Sequence, residues 1–154
     1  TRTGELDRER MVRLIRQADG MDVTLHRAFD MTRDPFAALE EAVALGCETI
    51  LTSGQAQSAE AGEALLGELH RAAAGRVVLM AGAGVKKENI LRLHSATGIG
   101  AFHTSARRGT LDSGMVYRKE GVSMGLPSLS EYEVWRTSEE EVRACAELVH
   151  SLKR

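Results

Sequence analysis

Four short apolar runs, beginning at residues 23, 49, 77 and 101, constrain this chain more than any other feature. Each passes directly into polar or small residues and then into a stretch with helical spacing. Val23-Thr24-Leu25-His26 leads to Arg27 and Asp30, and Thr49-Ile50-Leu51-Thr52 leads to Ser53 and Gly54. Val77-Val78-Leu79-Met80 runs into Ala81-Gly82-Ala83-Gly84-Val85, and Ala101-Phe102-His103 into Ser105-Ala106-Arg107. Strand, helix, strand with short links demands a parallel sheet with right-handed crossovers. The third run is continuously apolar and opens with two β-branched residues, as suits a strand buried on both faces. The fold class is therefore α/β. Periodicity accepts either an open doubly wound sheet or half of an eight-stranded barrel, and a complete barrel needs about 200 residues or more.

The intervening stretches carry helix signals. Leu6 to Ala18 has an apolar stripe of Met11, Val12, Leu14, Ile15 and Ala18, closed by Asp19-Gly20. Asp34-Pro35 is an N-cap followed by proline at the first helical position, opening a helix to about Leu45 that Gly46 ends. Further helices are expected over about Ser58 to Ala74, Lys86 to Ser95 and Val142 to Leu152. Thr137-Ser138-Glu139-Glu140 reads as the capping box of the last. Residues 108–136 hold most of the remaining turn residues and read as a long irregular segment, able to fold over the strand ends as a lid.

Composition excludes several classes of function. Of 154 residues, 43% are hydrophobic and 27% charged, as in a soluble single-domain protein with a proper core. A net charge of −2 leaves no electrostatic footprint for nucleic acid or an anionic membrane. No apolar run approaches a membrane span. Cys47 and Cys145 stand far apart in no metal-like spacing, which points to a reduced, cytoplasmic protein. The chain opens on Thr1 without an initiator methionine and reads as cut from something longer.

The runs HRAFD at 26–30, LTSG at 51–54, AGAGV at 81–85, FHTSAR at 102–107, DSGM at 112–115, VSMG at 122–125 and SEYE at 130–133 closely resemble the CutC family, named for copper homeostasis. Their order and spacing match over essentially the whole chain. The resemblance implies a TIM-barrel-like β/α fold of which residues 1–154 form the C-terminal half, four strands in sequence order with helices on the outer face only. It also implies a copper-homeostasis or copper-binding role, with copper as the cofactor.

Residues that directly follow buried strands lie at the C-terminal edge of the sheet, where α/β folds place their sites. His26 and His103 suit proton transfer, metal ligation or anion binding, or else pack as hydrogen-bonded loop residues. Arg27 and Asp30 suit an anion clamp with an adjacent base, or an ion pair that shapes the loop. Thr52, Ser53 and Gly54 add hydroxyls and amides at the next position. Gly82 and Gly84, followed by Ser105 and Arg107, stand where barrel enzymes build phosphate sites, after the last two strands. His26, Asp30 and His103 are thus the candidate catalytic residues. Arg27, Thr52, Ser53, Gly54, Gly82, Gly84, Ser105 and Arg107 are the candidate ligand-binding residues. His70, His94 and His150, near helix C-termini, read as structural or simply exposed.

For copper(I), which prefers thiolates and thioethers, no strong ligand set is legible. The two cysteines are isolated, and Met80, Met115 and Met124 are scattered. Two functions of different class follow: a copper-handling protein, as the resemblance implies, or a β/α enzyme acting on a small anionic, phosphorylated substrate. A half-barrel also leaves two bare sheet edges and an uncovered, largely apolar inner face. The chain is therefore expected to be a homo-oligomer or part of a longer chain.

Overall fold

The computed structural model describes residues 1–119, 121–122 and 130–152. Its centre is a four-stranded parallel sheet of β1 (Thr24–Leu25), β2 (Thr49–Thr52), β3 (Val78–Ala81) and β4 (Ala101–Phe102), in the order β1-β2-β3-β4. All three pairings are parallel. That order is the one a barrel half requires, and it excludes the doubly wound alternative, in which the first strand sits between later ones.

The register divides the sheet into two faces. Ile50 and Leu79 pair across β2 and β3, as do Thr52 and Ala81. All four are buried beneath helices α2 (Pro35–Ala44), α3 (Glu63–Ala73) and α4 (Ile90–Thr97). There they join Leu39, Leu66, Leu69, Ile90 and Leu93 in one core. Thr49 and Val78 pair on the opposite face, as do Leu51 and Met80, and Val78 is 50% exposed. This second face is the concave inside of the half-barrel. Helix α1 (Arg8–Gln17) has no buried residue, and Leu14 of its apolar stripe is 70% exposed.

Local signals account for most helix ends. Asp34 accepts hydrogen bonds from the Phe36 and Ala37 amides, with Pro35 at the first helical position of α2. The turn at Ala74 and Gly75 is left-handed at both residues, which closes α3. Three starts differ from expectation, one of them that of α4, which begins at Ile90, four residues after Lys86. Helix α3 begins at Glu63, five residues late, because Gly62 lies against the β2 end: an added Cβ would sit 1.9 Å from the Ser53 carbonyl oxygen. Helix α5 (Glu139–Ser151) begins earlier than Val142, and its N-cap is Ser138, accepting from the Glu141 amide. The cap is therefore Ser138, one residue beyond the expected Thr137, and only the hydroxyl half of a capping box forms, since the Ser138 amide donates to the Ala106 carbonyl.

The expected irregular segment over 108–136 is corrected. Strands β5 (Arg107–Asp112) and β6 (Glu133–Thr137) form an antiparallel pair of their own. Its base is tied to the sheet edge, with the Ser138 amide donating to the Ala106 carbonyl at 2.8 Å and Thr137 Oγ1 to the Ser105 carbonyl at 3.2 Å. The outer end is held by Tyr132, whose hydroxyl accepts from the Lys119 amide at 2.6 Å while its ring lies 5.2 Å from the Arg118 guanidinium. Met124 and most of the 122–125 run lie outside the described residues.

Candidate functional site

Every sequence-derived site residue stands at the C-terminal edge of the four-stranded sheet, because each follows the last residue of a strand or, like Thr52, ends one. Side-chain parity then separates them. Thr24 pairs with the inner-face Thr49, and His26 lies two residues on in extended backbone (φ −79°, ψ −176°), so it shares the concave face. His103 stands two residues after Ala101, which pairs with the inner-face Met80. The two histidines belong to the outermost strands, three strand spacings apart along the sheet. His26 Nδ1 accepts from the Ala28 amide at 3.1 Å, which puts the ring proton on Nε2.

Between β1 and β2 lies a polar cluster centred on Asp30. Its side chain is 6% exposed. It accepts from Thr52 Oγ1 at 2.5 Å, Arg27 Nε at 2.7 Å, Ser53 Oγ at 2.9 Å, and the Ser53 and Gln55 amides at 3.1 Å. Burial pushes this carboxyl up, but the hydrogen bonds from Thr52, Arg27, Gln55 and Ser53 outweigh it and hold it below the ordinary carboxylate range. Arg27 is fixed in turn, its second nitrogen donating to Ser53 Oγ at 2.7 Å and the Ala56 carbonyl at 3.3 Å. The arrangement is the ion pair that shapes the loop: Asp30 carries the donors, and Arg27, with its side chain 42% exposed, faces outward. Gln55, which also donates to the Thr32 carbonyl at 2.6 Å, belongs to this cluster and was not legible beforehand.

The loops after β3 and β4 form a second group. Gly82 is buried, and an added Cβ would meet Leu51 Cδ1 at 2.6 Å and His103 Cβ at 3.6 Å. That contact is with the movable end of the half-buried Leu51 side chain, so a larger residue at this position displaces Leu51. Ala83 and Gly84 both adopt positive φ, 72° and 74°. Asn89 and Thr104, which sequence reasoning missed, brace these loops through hydrogen bonds to Gly84, Lys86 and Val85. Asn89 directly precedes α4, and an asparagine at a helix start was the available signal. Ser105 and Gly84 are exposed, and Arg107 is the exposed first residue of β5.

The model of the CutC family matches residues 1–108, from α1 through the strand-end loops to the start of β5. The chain belongs to the CutC family. A curated CutC relative from Parabacteroides distasonis is 47% identical over 145 residues, covering 94% of this chain and 59% of the relative. One from Chromobacterium violaceum is 47% identical over 147 residues, covering 96% of this chain and 59% of the relative. This chain thus spans about three-fifths of the length of these CutC relatives. The crystal structure of a CutC protein from Streptococcus agalactiae, described as a candidate copper homeostasis protein, superposes with a TM-score of 0.64 at 27% identity. It covers 67% of this chain and 51% of that one.

Copper does not fit the described residues of this CutC chain. Cys47 and Cys145 are buried, 3% and 7% exposed, in the core on the helix side of the sheet. Burial, with nearby Glu48 for Cys47 and Glu141 for Cys145, pushes both thiols up and keeps them protonated. Among the described residues no three His, Cys, Asp or Glu side chains are grouped so as to hold a metal ion. No helix among them is long and apolar enough to cross a membrane. Of the remaining histidines, His94 Nδ1 bonds the Ile99 carbonyl at 2.9 Å and His70 packs on Gly98.

His103 offers a direct test of how little the fold depends on its inner rim. The residue is exposed, and its amide bond to the Ala81 carbonyl survives truncation. His103→Ala is expected to change the unfolding free energy by less than about 0.5 kcal/mol in urea titration. A loss above about 2 kcal/mol would make it a packed structural histidine.

Proposed function

We propose that this chain forms part of a cytoplasmic copper-homeostasis protein, the role named for its solved relative. It acts through a small-molecule ligand held at the strand-end rim, not through copper coordinated by its described side chains. The observation that supports this best is the gathering of outward polar groups at one sheet edge. His26, Arg27, Gly84, His103, Ser105 and Arg107 all stand there, whereas both thiols are on the helix side. The reduced thiols accord with the cytoplasm.

A second reading, an enzyme acting on a small anionic substrate, is favoured by the His26 imidazole next to the fixed Arg27 guanidinium, with a further imidazole, His103, along the same sheet edge. In that reading His26 and His103 move protons, and Arg27 clamps the substrate. Asp30, occupied by its five donors, orients Arg27, while Thr52, Ser53 and Gly54 hold the Asp30 cluster together.

Calorimetric titration separates these possibilities. The chain is titrated with copper(I) under a competing chelator, and with a panel of phosphorylated and carboxylated metabolites. Saturable binding of one anionic class is expected, weakened at least tenfold in Arg27→Ala. Stoichiometric copper(I) binding without any anion binding would contradict the proposal.

A further inference from the structure

We infer that the ligand held at this rim is a phosphate group carried on a small metabolite, taken by main-chain amides of the two loops that follow β3 and β4. The inference rests on the rim reading above and names its ligand class. Ala83 and Gly84 adopt positive φ in succession, 72° and 74°. Alanine avoids that conformation, which persists only where the surroundings enforce it, and such positions cluster at ligand clamps.

The loop is held from two sides, by the Ala59 amide, which donates to the Ala83 carbonyl at 2.9 Å, and by Asn89. Asn89 is 3% exposed, donates Nδ2 to the Gly84 carbonyl at 2.9 Å and accepts from the Lys86 amide at 2.9 Å. Thr104 ties the second loop to the first, donating Oγ1 to the Val85 carbonyl at 2.7 Å and accepting from the Ala106 amide at 3.1 Å.

With the carbonyls so engaged, five amides are left over. Among the described residues, no protein acceptor takes the amides of Ala83, Gly84, Val85, Thr104 or Ser105. Val85 is only 5% exposed, and a buried residue's amide without a partner is uncommon. Clustered amides in turns of this kind make anion-binding concavities. The electrostatics agree. Residues 82–86 and 103–107 contain no carboxylate, and Lys86 and Arg107 have no ion-pair partner among the described residues. Asn89 and Thr104 are positioning residues here, since they shape the loops and do not supply the amides.

The test is amide-resolved NMR on the 15N-labelled 154-residue chain, titrated separately with inorganic phosphate and with glycerol phosphate. Saturable shifts are expected at Gly84, Val85 and Ser105, with the monoester at least tenfold tighter. Equal affinity for the two would assign the loops to free phosphate and overturn the metabolite. Asn89→Ala should weaken monoester binding at least tenfold. Gly84→Ala serves if that variant does not fold, because its φ of +74° resists a side chain while the added methyl meets only Ser58 Cβ, at 3.5 Å. Unchanged affinity in the folded variants, or shifts confined to residues 26–30 and 52–55, would overturn the inference and leave the rim reading intact. Binding of carboxylates but no phosphate would do the same. Absence of any saturable anion binding would remove both.

Discussion

Replacing Asp30 by alanine is expected to lower the unfolding free energy by about 3 kcal/mol, the cost of stripping a buried acceptor from several donors at once. Thr52 Oγ1, Ser53 Oγ, the Ser53 and Gln55 amides and Arg27 Nε all converge on this carboxylate. Its side chain is 6% exposed, so water replaces few of those bonds without rearrangement. Asp30→Asn should cost somewhat less, since the amide keeps one acceptor oxygen but sets a donor against donors. The pH dependence has a definite sign. The folded carboxyl titrates below its unfolded value of about 3.9, so its contribution is fully present above that value. It is lost as pH falls through the lower, folded value. Urea titrations at one protein concentration should therefore show a constant gap between the native chain and Asp30→Ala from pH 7 to about pH 5. The gap should close below about pH 4. A gap under about 0.5 kcal/mol at pH 7 would mean that the cluster is solvated and the loop is held elsewhere.

The positions of the strand ends were legible because apolar runs give way abruptly to His26, Ser53, Gly82 and His103. The choice between barrel half and doubly wound sheet was not legible in periodicity. Both need the same alternation, and the motif resemblance decided it. The β5–β6 pair escaped notice for a physical reason. In β6 all five residues are exposed, and β5 has one half-buried residue, so no period-2 burial pattern exists to be read. The late start of α3 depends on the approach of Gly62 to Ser53, a tertiary contact without local signature. The Asp30 cluster is similar: Arg27 and Asp30 are neighbours on the chain, but Thr52, Ser53 and Gln55 come from the next strand.

The uncovered concave face carries the remaining large expectation. Val78 is 50% exposed, Leu51 and Met80 are half-buried, and among the described residues β1 and β4 each pair on one side alone. Beside β1, a groove of about 460 Å³ lies between α1 and the strand, lined by Leu6, Met11, Leu14, Ile15, Val23 and Leu25. Exposed apolar side chains on this face, next to bare parallel edges, favour association with further strands. Light scattering after gel filtration of the 154-residue chain tests the half-barrel most directly. The expected result is a mass of two or more copies, with strong binding of a hydrophobic dye where the chain is dilute enough to dissociate. A monodisperse monomer that unfolds cooperatively and binds little dye would contradict the open half-barrel.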